Sequence, residues 1–177
     1  MSPPGGPEIW IRGPVASAPS QPNPLTQGTQ VAFPKRTLAW VAAHGGAGAS
    51  TLSAVFGGID LGRSWPRPDR GEPDSVVLVA RTHAAGLQAV SRALDLFRRG
   101  EQPPGIELIA VALIADAPGR LPRSLQQRIK VIGSVVQVHR VPWVSAWRTG
   151  DLTVPAPRDT SGLAALVAQD ARARSNG

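Results

Sequence analysis

Apolar runs alternate with amphipathic stretches along most of this chain. Four short apolar runs are typical of strands buried on both faces: residues 37–43 (TLAWVAA), 76–80 (VVLVA), 106–115 (IELIAVALIA) and 135–138 (VVQV). Apolar side chains recur at helical spacing in four other segments: residues 50–61, 84–99, 122–132 and 161–174. Residues 62–75 read as a loop and residues 142–150 as a helical turn. We therefore predict an α/β fold, a short parallel sheet with helices on both faces.

The beginning of the chain has a different composition. Residues 1–34 hold eight of the 18 prolines and show no helical or strand period. We predict that they form a disordered, Pro-rich N-terminal arm. A single α/β domain follows over residues 35–152. Residues 153–177 are predicted to be a linker and a C-terminal helix with a frayed end.

A Gly-rich turn joins the first predicted strand to the first predicted helix, in the sequence HGGAGAST at residues 44–51. Gly45, Gly46 and Gly48 allow the backbone to turn with positive φ and to approach an anion closely. Successive N–H groups in such a turn bind anions, and the helix that follows adds the positive end of its dipole. The pattern predicts a phosphate-binding strand–loop–helix unit.

This loop resembles the deviant Walker A loop of the MinD/ParA partitioning ATPases, whose pattern is K-G-G-x-G-K-[ST]-[ST]. Six of the eight positions fit, and both departures are lysines: His44 and Ala49 stand in their places. In that family the first lysine reaches the nucleotide of a dimer partner, and the second is common to phosphate-binding loops. The resemblance covers about residues 36–150 and implies a reduced P-loop NTPase-like fold that has lost efficient hydrolysis.

The implied nucleotide or phosphate site consists of the loop and one arginine: Gly45, Gly46, Ala47, Gly48, Ala49, Ser50, Thr51 and Arg81. Arg81 ends the strongest apolar strand, so its guanidinium fork should face the loop and hold phosphate oxygens from the opposite side. Ser50 could serve Mg²⁺ or cap the helix. Asp116, in LIADAPG, resembles a Walker B acid and is the second candidate metal ligand; otherwise it caps a turn.

We expect a binding or regulatory module with weak or no ATP hydrolysis, and we assign no catalytic residue. ATP with Mg²⁺ is the expected weak cofactor, and a protein partner or self-association is expected. One alternative is a slow ATPase in which Arg81 replaces the missing lysine. Another is a basic, DNA-associated partitioning accessory protein, since the net charge is +7. GC-rich coding would produce the same excess of arginine without any nucleic-acid partner.

Other kinds of site fit less well. A dinucleotide fingerprint would need glycine at Thr51 and an acid at a strand end about 20 residues on, where only Asp69 stands, in a proline-rich loop. No G-x-S-x-G motif is present, and the chain has no cysteine for a thiolate metal site. Trp143 and Trp147 are spaced to share a helical face, which favours core or partner contact. No apolar run approaches the ~20 residues of a membrane span, and we expect a cytoplasmic protein.

Overall fold

The computed structural model describes residues 38–175 of the chain. Five strands form one sheet: β1 (Ala39–Ala42), β2 (Ile59–Asp60), β3 (Ser75–Arg81), β4 (Glu107–Ile114) and β5 (Val138–Val141). Every neighbouring pair is parallel, and the order is β2-β1-β3-β4-β5. This confirms the predicted α/β class with a parallel sheet. The predicted arm over residues 1–34 lies outside the described residues.

Helices cover both faces of the sheet, as predicted. They are α1 (Ala49–Phe56), α2 (Ala84–Arg98), α3 (Arg123–Gly133), α4 (Ser145–Arg148) and α5 (Ser161–Ser175). Leu52 of α1 and Leu163 of α5 belong to the core cluster on one face. Leu87 of α2 and Ile129 of α3 belong to the cluster on the other face. Successive strand residues supply the two clusters alternately, because side chains on a strand point to opposite faces.

Two hydrogen bonds to distant segments fix strand β1 and the residue before it. Trp40 is fully buried, and its indole Nε1–H donates to the carbonyl oxygen of Gly57 at 2.7 Å, so the buried donor is satisfied. The N–H of Leu38 donates to Asp170 Oδ2 at 2.9 Å, which ties helix α5 to the beginning of β1. The strand that leads into the Gly-rich loop is therefore held by long-range contacts.

Two predicted element boundaries are wrong. The helix predicted over residues 50–61 ends at Phe56, because Gly57 follows with a φ of +84°; Ile59–Asp60 then forms strand β2. The strand predicted over residues 135–138 lies at Val138–Val141, since Val135 is 70% exposed and still belongs to the turn after α3. Strand β5 lies at the end of the sheet, so its sequence VHRV does not need to be apolar throughout.

The predicted helical face shared by Trp143 and Trp147 is also wrong. Helix α4 begins only at Ser145, so Trp143 precedes it. Trp147 is 9% exposed and packs edge-on against Phe56 of α1, with ring centroids 6.5 Å apart. Trp147 thus belongs to the core, whereas the Arg148 guanidinium carbon lies 4.4 Å from the centre of the Trp143 ring.

The strand order locates the place where ligands bind in sheets of this kind. From β1 the chain first moves outward to β2, and from β3 it moves in the opposite direction through β4 to β5. The connection that leaves β1 and the connection that leaves β3 therefore run toward opposite edges of the sheet, which leaves a crevice between them beyond the carboxyl ends of these strands. Doubly wound sheets bind ligands in the crevice at this point. The Gly-rich loop follows β1 and Arg81 ends β3, so both lie at this crevice.

His139 should make the fold sensitive to acid. Burial lowers the pKa of His139, its Nε2 has no hydrogen-bond partner among residues 38–175, and a Cβ at Gly162 would lie 2.6 Å from its Nδ1. The folded state disfavours the imidazolium form of His139. The contribution of the neutral ring to the free energy of unfolding is therefore complete above about pH 6.5 and declines as the pH falls below it. We expect His139→Gln to lose less stability than the wild type between about pH 7.5 and about pH 5.5 in urea denaturation. Equal losses would show that this imidazole does not contribute.

Candidate functional site

The Gly-rich loop ends in a helix whose beginning has no side-chain cap. Gly48 is the residue before α1, with a φ of +103°, and Gly46 has a φ of +72°; both values favour glycine. The first N–H groups of any helix lack partners within the helix. At α1 no side chain within residues 38–175 supplies one, and the hydroxyl of Ser50 donates to Asp60. Unpaired N–H groups and a helix dipole at the β1–β3 crevice make a cradle for an anion.

Arg81 lies across this cradle. Its Nε–H donates to the carbonyl oxygen of Gly46 at 3.2 Å, and Nη1 donates to that of Ala115 at 3.3 Å. A Cβ at Gly48 would lie 3.5 Å from Nη2, which places the guanidinium against the end of the loop. The pKa of Arg81 is lowered, mainly by burial and then by the nearby positive charge of Arg148, with Asp116 acting in the opposite direction. Arg81 is therefore a fixed cation with unused hydrogen-bonding capacity.

His44 links the loop to strand β3. Its Nε2 accepts the backbone N–H of Arg81 at 3.0 Å, so the proton of the neutral ring is on Nδ1, which lies 2.9 Å from the carbonyl oxygen of Gly45. The His83 ring packs beside it, with centroids 5.0 Å apart. His83 accepts the N–H of Gly86 and thereby caps helix α2. Both imidazoles thus have structural hydrogen bonds at this crevice.

The structure adds an acid that the sequence analysis did not select. Asp60, at the end of β2, accepts the hydroxyl proton of Ser50 at Oδ2 (2.5 Å) and the N–H of Gly62 at Oδ1 (2.8 Å). It reaches Ser50 because β2 pairs with β1, with Asp60 opposite Trp40. The available signal was an apolar residue followed by an acid, Ile59-Asp60, directly after the two glycines that end α1.

Asp116 occupies a different place. It follows β4, and its N–H donates to Thr82 Oγ1 at 3.1 Å. Its carbonyl oxygen accepts from Arg148 at 3.2 Å, and its carboxylate oxygen Oδ1 is 3.9 Å from the same guanidinium. Asp116 does not line the pocket that contains Ser50; the loop after β4 lines a separate cavity of about 180 Å³ with Thr82 and His83. The structure therefore brings Asp60, and not Asp116, to the predicted metal-binding serine.

One pocket of about 480 Å³ collects the predicted phosphate-binding residues. All eight line it: Gly45, Gly46, Ala47, Gly48, Ala49, Ser50, Thr51 and Arg81. Further residues line it that the sequence analysis did not assign to the site, among them His44, Asp60, Arg63, Trp147 and Arg148. The indole Nε1–H of Trp147 is buried and has no acceptor in the described part of the chain. Three arginines against one carboxylate give the pocket an excess of positive charge.

Comparison with known proteins gives no matching family model, no matching curated protein and no matching solved structure. Within residues 38–175, no helix has both the length and the apolar character that a bilayer span requires.

The close packing of helix α2 against the end of β3 can be tested at Gly86. A Cβ there would collide with the carbonyl oxygen of Arg81 and lie 3.0 Å from His44 Nε2. We expect Gly86→Ala to destabilise the protein by about 1–3 kcal/mol, because the backbone at Arg81 must move. Gly45→Ala is the matched control, since no atom lies within 4 Å of its Cβ position and its φ is not positive. Urea denaturation of both variants measures the difference, and equal stabilities would contradict this packing.

Proposed function

We propose that this chain is a phosphate-binding module, a reduced relative of the MinD/ParA-type P-loop proteins that binds nucleotide weakly and has lost efficient hydrolysis. The observation that carries the proposal is the uncapped beginning of α1 with the Arg81 guanidinium laid across it. Backbone N–H groups and a fixed guanidinium are both strong donors to phosphate oxygens. Together they supply two sides of an anion site without the usual lysine.

The residue at the position of that lysine disfavours efficient hydrolysis. Ala49 is 4% exposed and has no charge to offer. In P-loop enzymes a lysine from the loop reaches the outer phosphates and stabilises the charge that develops during transfer. Arg81 offers charge from the strand side and is held by two carbonyl oxygens. It can support ground-state binding, which by itself does not accelerate the chemical step.

The residues beside the beginning of α1 are of a kind that can hold a magnesium ion. Ser50 Oγ and the Asp60 carboxylate are adjacent hard oxygen donors beside the anion cradle. Mg²⁺ prefers oxygen ligands and is usually held by one or two carboxylates together with substrate phosphates. Ser50 and Asp60 would hold the ion, which would neutralise phosphate charge where Asp60 otherwise repels it.

Thermal unfolding with ATP and Mg²⁺ tests the proposal directly. A ligand at about 100 times its Kd stabilises the native state by about 2.7 kcal/mol. We expect a measurable shift in Tm for the wild type and about a tenfold weaker affinity for Arg81→Gln, which loses a charge-assisted contact. Arg123→Gln, the same charge change at the exposed beginning of α3, should behave as the wild type. An unchanged Tm at millimolar ATP would contradict the proposed function.

Phosphate release from ATP, measured on the same variants, separates the binding module from the slow ATPase. In the slow ATPase, Arg81 would perform the role of the lysine, and phosphate release would stop in both Ser50→Ala and Arg81→Gln. Sustained release by the wild type that both variants abolish would replace a binding module with an enzyme. Binding without release supports the module.

The metal ligand is tested by a pair of aspartate variants. We expect Asp60→Asn to abolish the increase in ATP affinity that Mg²⁺ produces, because the carboxylate beside Ser50 is the group that would hold the ion. Asp116→Asn, which changes charge equally but outside this pocket, should retain the increase. Calorimetric titration with ATP, in the presence and absence of Mg²⁺, measures this increase in affinity. The reverse pattern would return the metal to Asp116.

A further inference from the structure

Arg148 lines the same pocket from helix α4, a different segment from the Gly-rich loop and strand β3. It is the last residue of α4, its side chain is 36% exposed, and it lines the pocket with Arg81 and Ser50. Its guanidinium carbon lies 4.4 Å from the centre of the Trp143 ring, and Nη2 donates to the carbonyl oxygen of Asp116 at 3.2 Å. The side chain thus lies on an aromatic surface at the rim of the cradle.

The two arginines affect each other. The charge of Arg148 is the second cause, after burial, of the lowered pKa of Arg81, so the two guanidinium groups are close enough for Arg148 to disfavour the charged form of Arg81. Asp116 compensates only in part, because its carboxylate is 3.9 Å from Arg148 and both groups are partly exposed. An ion pair of this kind contributes little to stability. An anion between the two guanidinium groups would relieve the repulsion that remains.

The size of the pocket decides what kind of anion fits. Its volume of about 480 Å³ lies within the 300–1,000 Å³ of small-molecule sites and exceeds what one phosphate group fills. Arg81 is tied to the Gly-rich loop through Gly46, so a single phosphate in the cradle already meets it. Arg148 is tied instead to Asp116 and Trp143, outside the loop. A ligand with a second phosphate group is the simplest one that would contact Arg148 as well as Arg81.

We propose that Arg148 is a second anion-binding residue, which makes this pocket select ligands with two or more linked phosphate groups over orthophosphate. The inference rests on the proposed phosphate-binding function and adds its selectivity. Arg148 keeps its stacking on Trp143 while its guanidinium N–H groups exchange the carbonyl of Asp116 for phosphate oxygens. Guanidinium binds phosphate through two parallel hydrogen bonds, which an ammonium group cannot reproduce.

Calorimetry of the full chain with orthophosphate and with tripolyphosphate, both without Mg²⁺, tests this selectivity. We expect the wild type to bind tripolyphosphate at least about tenfold more tightly than orthophosphate. Arg148→Gln should lose about tenfold in affinity for tripolyphosphate and leave orthophosphate unchanged. Arg148→Lys should recover only part of the loss. Arg140→Gln is the matched control, because Arg140 lies on β5 and lines a neighbouring cavity, not this pocket.

Each other outcome is decisive. If Arg148→Gln keeps the selectivity of the wild type, or loses affinity for both anions equally, the inference is wrong while the phosphate-binding function stands. If the wild type binds neither anion, the inference is wrong, and the shift in Tm with ATP and Mg²⁺ decides whether the proposed function fails with it. Gly48→Ala assigns the binding to the loop, since its Cβ would lie 2.6 Å from Ile114 Cδ1 at a φ that disfavours any side chain. Undiminished binding by that variant would place the anions elsewhere and overturn both.

Discussion

The connection between the Gly-rich loop and the end of β3 fixes the geometry of the whole site. His44 accepts the N–H of Arg81, and the Arg81 side chain returns to the loop at Gly46. Arg81 donates both hydrogen bonds and the loop accepts both, one from the backbone N–H and one from the side chain. The loop cannot shift relative to the strand without breaking one of them. The bond to His44 is partly buried, where a lost hydrogen bond is costly, whereas the bond to Gly46 is exposed. The direction of the anion cradle and the position of its nearest cation are therefore set together.

This arrangement distributes positive charge differently from a lysine carried by the loop. A flexible ammonium group can follow phosphate oxygens as they separate during transfer, whereas a guanidinium held by two carbonyl oxygens stays in place. Preorganised donors favour whichever charge distribution they already match. With Ala49 buried and Arg81 anchored, the donors match an intact bound anion. Under the proposed function, this set of residues is therefore better suited to retaining a phosphate ligand than to transferring its phosphate.

Sequence reasoning recovered those features that have a strong local signal. Strand β3 (Ser75–Arg81) and helix α2 (Ala84–Arg98) follow the apolar run and the helical period almost residue by residue. Strand β2 has only two residues, and its existence depends on hydrogen bonds to β1, such as that from Ile59 N–H to the carbonyl oxygen of Leu38 at 2.9 Å. A segment of that length carries no period to detect, so its final residue, Asp60, was missed together with it.

Arg148 was missed for a related reason. Its place in the pocket depends on where the chain returns after β5, and the spacing of Trp143 and Trp147 suggested a longer helix than α4. The eight residues predicted to bind phosphate line one pocket because the loop that carries most of them is continuous in sequence, and Arg81 joins them through the strand order at the β1–β3 boundary. Contributions from distant segments require the tertiary structure.

Either a bound divalent cation or the arginines of the pocket could balance the charge of an anion in the cradle. Asp60 lies against Ser50 at the beginning of α1, so its carboxylate opposes any anion in the cradle unless a cation stands between them. Coulomb energy at about 4 Å is roughly 4 kcal/mol at an effective dielectric constant of about 20, enough to cancel the gain from one favourable contact. Either a divalent ion at Asp60 or the arginines across the pocket can offset this repulsion. The arginines belong to the chain, whereas Mg²⁺ must be recruited. Under the proposed function, the chain would therefore retain a phosphate ligand without the metal, and a metal would act mainly on the part of the ligand nearest Ser50.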